Sequence, residues 1–209
     1  VYKSSTGSDN TIAFGSTHNL SEVGSPVFVN CPFPTLESDG APTPSVVVGE
    51  YTPNPYEFTS VINISGMSYG AISDPAVRAL SRGAGMAGCW LNTGEGGLAP
   101  QHLEGGADIV LQIGTAKYGV RTLDGRVDEG KLREIGAIPQ VKMIELKMSQ
   151  GAKPGKGGLL PGVKVTPEIA KIRGIPVHQD SVSPNRHPEI DNVQQMLDVI
   201  GHMRAMSGK

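Results

Sequence analysis

The chain has 209 residues, 38% of them hydrophobic and 18% charged, and a net charge of −2. That is enough for one well-filled domain and short for two, and a charge so near zero argues against a nucleic-acid binder, which carries a basic face. No apolar run approaches the ~18 residues of a membrane span, and Val1-Tyr2-Lys3-Ser4-Ser5 lacks the basic-then-apolar order of a secretion signal, so a cytoplasmic protein without membrane contact is expected. The charge is unevenly spread. Residues 1–60 hold one cation against six acids, whereas residues 140–175 hold seven cations against two acids. A local basic cluster in a neutral protein suits a small anionic ligand better than a polymer. Cys31 and Cys89 show neither a CxxC nor a Cys/His ligand spacing, so no metal site is expected and both should be buried thiols.

Residues 1–60 carry seven of the 16 prolines, mixed with Ser, Thr and Gly. Val46-Val47-Val48 could be an isolated strand there, but no helical period appears, which predicts an extended Pro/Gly/Ser-rich arm. From Val61 the punctuation becomes regular. Residues 61–64 read as a short buried strand. Ser73-Asp74-Pro75 then opens a helix over 76–86, with Val77, Leu80 and Ala84 on one face and an end at Gly85 or Gly88. Strands follow at 89–92 and 108–113, a helix at 128–136, a strand at 143–147, a helix at 166–173, and a last helix over 193–206. That helix carries Met196, Leu197, Ile200, Met203 and Met206 at helical spacing. Strands alternating with helices imply a parallel sheet. The loops 65–73, 92–106, 114–126 and 147–164 each follow a strand, which is where a (β/α)₈ barrel builds its site. Residues 61–209 hold about four strand–helix units, so the barrel expected here is incomplete.

Several of these loops carry chemistry. Gly66-Met67-Ser68-Tyr69-Gly70 lets backbone amides approach a flat ligand. Asn92-Thr93-Gly94-Glu95-Gly96-Gly97 presents a carboxylate between glycines, able to meet an amine or imine or to pass a proton. Gln150-Gly151-Ala152-Lys153-Pro154-Gly155-Lys156 joins glycine-rich backbone to lysines and suits phosphate or carboxylate, although it is not a Walker loop. Lys147 stands at a strand's carboxyl end, and Arg173 closes a short helix. Ser183-Pro184-Asn185-Arg186-His187 is read as a structural turn.

The segments GMSYGAIS, NTGEGG, QIGTAKYG, IELKMSQGAKPGKGGLLPG, KVTPEIAKIRG and SVSPNRH, in this order between Ile62 and Gly208, resemble the FMN-binding domain of glutamate synthases, in its stand-alone glutamate synthase-like form. The resemblance implies a (β/α)₈ barrel that reduces 2-iminoglutarate, formed from 2-oxoglutarate and ammonia, to glutamate with electrons from FMN. It implies that Met67, Ser68, Gly70 and Gln112 line the flavin, that Glu95 stands beside the imine as a catalytic residue, and that Lys153 and Arg173 take the substrate carboxylates; Lys147, by its place at a strand's carboxyl end, is the second catalytic candidate. An iron–sulfur cluster, the phosphate loops and the rest of the barrel would come from beyond Lys209, and a glutaminase or electron-donor subunit would be the partner. Leu159 stands where the large enzymes carry Gln. That leaves an N-methylglutamate synthase-like subunit, another FMN-barrel oxidoreductase, or a non-catalytic part of a larger complex as alternatives.

Overall fold

The structure is a computed structural model that describes residues 19–25, 29, 31–151 and 155–209. The chain divides into two compact units, residues 1–42 and 43–209. In the described part of the first, regular structure is limited to a 3₁₀ turn at Glu37–Asp39, and Cys31 there is an exposed free thiol rather than the buried one expected.

The second unit opens with an antiparallel hairpin. Strand β1 (Val46–Val48) pairs with β2 (Tyr56–Phe58), so the valine run is not an isolated strand. The Tyr56 hydroxyl donates to Asp108 at 2.8 Å and the Phe58 ring meets Trp90 edge-on, which ties the hairpin to the start of the main sheet. The strand expected over 61–64 shrinks to one bridge, Ile64 against Leu91. The cause is Asn63, whose amide donates to the Ser60 carbonyl and whose side-chain oxygen accepts from the Trp90 amide. Val61 and Ile62 are left exposed.

Helix α1 (Asp74–Ala87) starts with Pro75 in its first turn, as the sequence predicts, and stops at left-handed Gly88. The Cys89 amide still bonds to the Ala84 carbonyl, so strand β3 begins only at Leu91 (Leu91–Asn92) rather than at 89. A short helix α2 (Pro100–Leu103) interrupts the next loop, before β4 (Ile109–Ile113), helix α3 (Glu129–Gly136) and β5 (Val141–Leu146). Strands β3, β4 and β5 are parallel and adjacent in chain order. The described sheet is open, not a closed barrel.

Its two faces differ. Leu91, Ile109, Leu111 and Ile113 are buried on one, with Ala84 of α1 and Leu132 of α3. Asn92, Gln112 and Glu145 lie on the other and bond to one another: the Asn92 amide donates to Glu145 at 3.1 Å, and the Gln112 amide donates to the same carboxylate.

The segment after β5 departs from a simple alternation. Strands β6 (Leu159–Leu160) and β7 (Ser181–Val182) form an antiparallel pair that the sequence did not suggest. Between them helix α4 (Pro167–Arg173), capped by the Thr166 hydroxyl, packs into a second core with Tyr69, Val77, Ala99, Leu160 and Val165. Helix α5 (Val193–Ser207), capped by Asn192, is the one that joins the first core through Met203 and packs on α3. The helix at 166–173 is therefore not the sheet-covering partner of β5; α5 takes that place. Residues 147–192 form one long excursion from the carboxyl end of the sheet.

Candidate active site at the carboxyl ends of the strands

The Lys147 amide donates to the Ile113 carbonyl at 3.0 Å, which continues the ladder one residue past β5 and puts this lysine on the rim. Glu95 comes from the loop after β3. That loop turns sharply at Gly94, whose amide donates to the Asn92 side-chain oxygen at 2.9 Å and whose φ is +66°. A Cβ on Gly94 would stand 2.6 Å from the Ser68 amide nitrogen, so the loops after residues 64 and 92 touch backbone to backbone.

The rim carries a closed triangle of side chains. Lys147 Nζ donates to Glu95 Oε2 and to Gln150 Oε1, both at 2.9 Å, and the Gln150 amide donates to Glu95 Oε2. Glu95 and Lys147 side chains keep only 20% and 27% of their exposure, so the pair is screened less than a surface bridge. Glu95 Oε1 faces Gly158, where a Cβ would come within 2.8 Å. Gln150 sits in a segment singled out for its glycines and lysines, and its own role escaped notice. Its place three residues after Lys147 was the available signal.

Ser68, Glu95, Gln150, Leu159 and Arg173 line a cleft of about 210 Å³, together with Ser183. Arg173 is 4% exposed, and its guanidinium donates to Ser68 Oγ at 3.1 Å and the Tyr69 carbonyl at 3.4 Å. It stacks on the Tyr118 ring at 4.9 Å, and its Nε has no hydrogen-bond partner among the described residues. Burial pushes this guanidinium below its ordinary range, and the nearby Tyr118 and Glu95 oppose that shift. A buried cation held by neutral groups is expensive unless an anion joins it.

The remaining expected site residues fall as follows. Ser68 joins Arg173 at the cleft. Met67 turns its side chain into the first core and offers only main chain to the rim: its amide donates to Asn92 O, and its carbonyl accepts from His102. His102 is buried, and its Nδ1 accepts from the Ala99 amide, so Nε2 carries the hydrogen. Gln112 lies on the polar face with its amide spent on Glu145. Gly70, at φ +93°, lies against Ile169 of α4, so its lack of a side chain serves the contact between loop and helix. Lys153 lies outside the described residues.

Residues 26–209 match the model described as the conserved region in glutamate synthase. The chain belongs to the glutamate synthase family. This glutamate synthase-family chain is 43% identical to a glutamate synthase large subunit-like protein of Bacillus subtilis, over 78% of its own length and 31% of the relative's. It is 36% identical to an archaeal-type glutamate synthase [NADPH] of Thermotoga maritima, over 66% of its own length and 25% of that protein's. It is 38% identical to an archaeal glutamate synthase [NADPH] of Methanocaldococcus jannaschii, over 68% and 26%. The family chain thus aligns with 25–31% of the length of these relatives. Among the described residues, no helix is long and apolar enough to cross a membrane, and no group of three or more His, Cys, Asp or Glu side chains could hold a metal ion.

Proposed function

We propose that this chain forms one wall of a flavin-dependent oxidoreductase site that reduces 2-iminoglutarate, made from 2-oxoglutarate and ammonia, to glutamate. The observation that carries it is Arg173, a buried guanidinium without a carboxylate partner among the described residues, in the same cleft as Glu95, whose carboxylate pairs with Lys147. A dicarboxylate supplies the missing anion, and the planar fork of Arg matches a carboxylate two-pronged. Lys153 is proposed to take the second carboxylate. Membership of the family and the parallel order of β3, β4 and β5 support a (β/α)₈ barrel in the whole protein.

The residues at the rim fit FMN. Gly66 turns a bare face to Gly94 and the Gln112 amide, where a Cβ would stand at 3.1 and 3.2 Å, and the neutral main-chain and amide groups there suit the polar edge of a flavin ring. Met67 through its main chain, Ser68, Gly70 and Gln112 would hold the cofactor, which supplies two electrons as a hydride for the imine carbon. Lys147, hydrogen-bonded to Glu95, holds the proton that the imine nitrogen needs when C=N becomes CH–NH, and Glu95 orients that nitrogen. Gln150 keeps both in register. The iron–sulfur cluster and the electron-donor or glutaminase partner belong to the same proposal for the whole protein.

One test uses the full-length protein, reduced anaerobically with dithionite and mixed with 2-oxoglutarate and ammonium. The expected result is reoxidation of the flavin band with glutamate detected by mass spectrometry. A full-length protein without a flavin spectrum would end the proposal. A second substrate is favoured by Leu159, which is 55% exposed and makes one cleft wall apolar. Methylamine should therefore run beside ammonium, and N-methylglutamate as the main product would select that reading.

A further inference from the structure

Residues 183–190, the first five of them expected to be a mere turn, are laced to the loops that build the site. The Thr115 hydroxyl donates to the Pro184 carbonyl at 2.6 Å, buried Lys117 pairs with Glu189 at 2.9 Å, and the Ser183 amide donates to Gly158 at 2.9 Å. The fourth tie is His187, 1% exposed, whose Nε2 meets the Lys147 carbonyl oxygen at 2.9 Å. A carbonyl only accepts, so Nε2 must carry the hydrogen.

We propose that His187 is a positioning residue for Lys147: it fixes the main chain of that lysine by donating from Nε2 to its carbonyl, and so sets where the ammonium meets Glu95. This rests on the Glu95–Lys147 pair being the centre of the site, not on the identity of the substrate.

Three observations point the same way. First, the Lys147 amide already donates to Ile113, so His187 completes the fixing of both its main-chain groups. A lysine side chain has four flexible bonds and places its ammonium well only when its root is held. Second, His187 is unlike the other buried histidine. His102 has both ring nitrogens bonded, whereas His187 leaves Nδ1 without a hydrogen-bond partner among the described residues and spends only Nε2, on Lys147. A ring kept merely to satisfy itself gains nothing from that arrangement, since an orphaned buried nitrogen costs free energy. Third, the tie survives titration. The charged groups facing the ring are Glu189, with Oε1 at 3.8 Å from Nδ1, and Lys117, which holds that same carboxylate. Protonation at Nδ1 would draw Glu189 from Lys117 yet leave the Nε2 hydrogen on the Lys147 carbonyl. Burial pushes the ring below the ordinary histidine value and keeps it in the neutral form.

The experiment compares His187→Leu, His187→Asn and His187→Gln in the full-length protein. Reductive methylation of each lysine is followed by peptide mass spectrometry, with exposed Lys131 and Lys171 as internal controls. Gln reaches the position of Nε2 with a donor; Asn and Leu do not. The expected result is that Lys147 is modified about fivefold faster in the Leu and Asn proteins, the equivalent of one neutral hydrogen bond, and at about the wild-type rate in the Gln protein. Should the Leu protein fail to fold, the ratio of the Asn to the Gln protein decides alone. Unchanged Lys147 modification beside a lowered melting temperature would make His187 purely structural and overturn the inference, as would a Gln protein that behaves like Leu. The readout needs no turnover. If Lys147→Met leaves catalysis intact while the methylation pattern stands, the proposed function fails and the positioning does not.

Discussion

Replacing Arg173 by Met should separate binding from folding, because this side chain helps and hurts folding in nearly equal measure whereas binding only loses by its removal. On the folding side, the variant loses donation to Ser68 Oγ and to the Tyr69 carbonyl at 3.1 and 3.4 Å. Charged donors contribute ~1.5–3 kcal/mol each at good geometry, and these distances are at or beyond the long end of the range. It also loses the stack on Tyr118, worth ~0.5–2 kcal/mol. Against this, the wild type buries a cation that no carboxylate neutralises among the described residues, a penalty of several kcal/mol that Met does not carry. Gains and losses nearly cancel. The melting temperature should stay within about 5 °C, given ~2–4 °C per kcal/mol for a domain of this size.

On the binding side nothing cancels. Loss of a two-pronged charged contact to a carboxylate should weaken 2-oxoglutarate by about tenfold to a hundredfold, and the monocarboxylate 2-oxobutyrate by much less. Arg173→Lys should fall between, since it keeps the charge and loses the fork. The assays are thermal melts and titration calorimetry on the full-length protein. A melting temperature lowered by more than about 10 °C with the ratio of the two dissociation constants unchanged would show Arg173 to be a structural cation and refute the reasoning.

Further outcomes follow from the same site. Lys147→Met should lower turnover at least about a hundredfold, and adding Glu95→Gln should cost little more, because the two act as one pair; additive losses would show independent roles. Gly94→Ala places a Cβ 2.6 Å from the Ser68 nitrogen at φ +66°, so it should cost ~1–3 kcal/mol in strain and release flavin, checked by melting and by the visible spectrum. Burial pushes His102 and His187 below the ordinary histidine value. The unfolded chain therefore binds protons from about pH 6.5 downward while the folded one does not, and stability is complete above that pH and falls below it. Melts at about pH 7.5 and pH 5.5 should differ accordingly, and His102→Gln should flatten the slope; equal melting temperatures in the wild type would contradict the burial argument.

The elements that the sequence announced best are those whose signals are local. Pro75 with Ser73, Asp128, Thr166 and Asn192 each mark a helix start through a residue acting within its first turn, and all four helices begin within a residue or two of those positions. The apolar run of β4 likewise reflects burial on both faces. What stayed hidden depends on distant partners. The register of residues 61–64 is undone by the Asn63 side chain, and β6 finds β7 across 20 intervening residues with only two residues in each strand. No periodicity can declare a two-residue strand. The place of α4 also had to come from packing: its apolar side, Ile169 and Ala170, looks the same whether it covers a sheet or a loop.

For the site, residue types were legible and their connections were not. Glu95 between glycines and Lys147 at a strand end are visible as isolated chemistry, yet only the fold brings Nζ to Oε2 at 2.9 Å. Gln150 and His187 are defined by what they bond to: the spacing from Lys147 is the one local trace of Gln150, and His187 has none. Gln112 shows the reverse. Its amide is present as expected, but the Glu145 carboxylate on the neighbouring strand engages it, so any ligand must share that group or displace Glu145.

The two cores also divide the work. Glu95 and Lys147 stand on the rim of the parallel sheet, whose apolar face is held by α1, α3 and α5. Arg173 stands at the end of α4, which the long excursion after β5 packs into a second core beside Tyr69, Val77 and Ala99. The span between the pair proposed to hold the proton and the guanidinium proposed to hold the anion is thus set by the contact of the two bodies, where Ile169 lies against Gly70 and Ser68 accepts from Arg173. A longer or shorter substrate calls for a shift of α4 on that contact, with the sheet left as it is. Differences in chain length among substrates of this family should accordingly map onto residues 68–72 and 165–174 rather than onto β3, β4 or β5. Exchanging those two segments between relatives of different preference, and measuring kcat/KM for a five- and a six-carbon 2-oxo dicarboxylate, would show it. If selectivity instead followed an exchange of residues 109–113 and 141–146, the division between the two bodies would not hold.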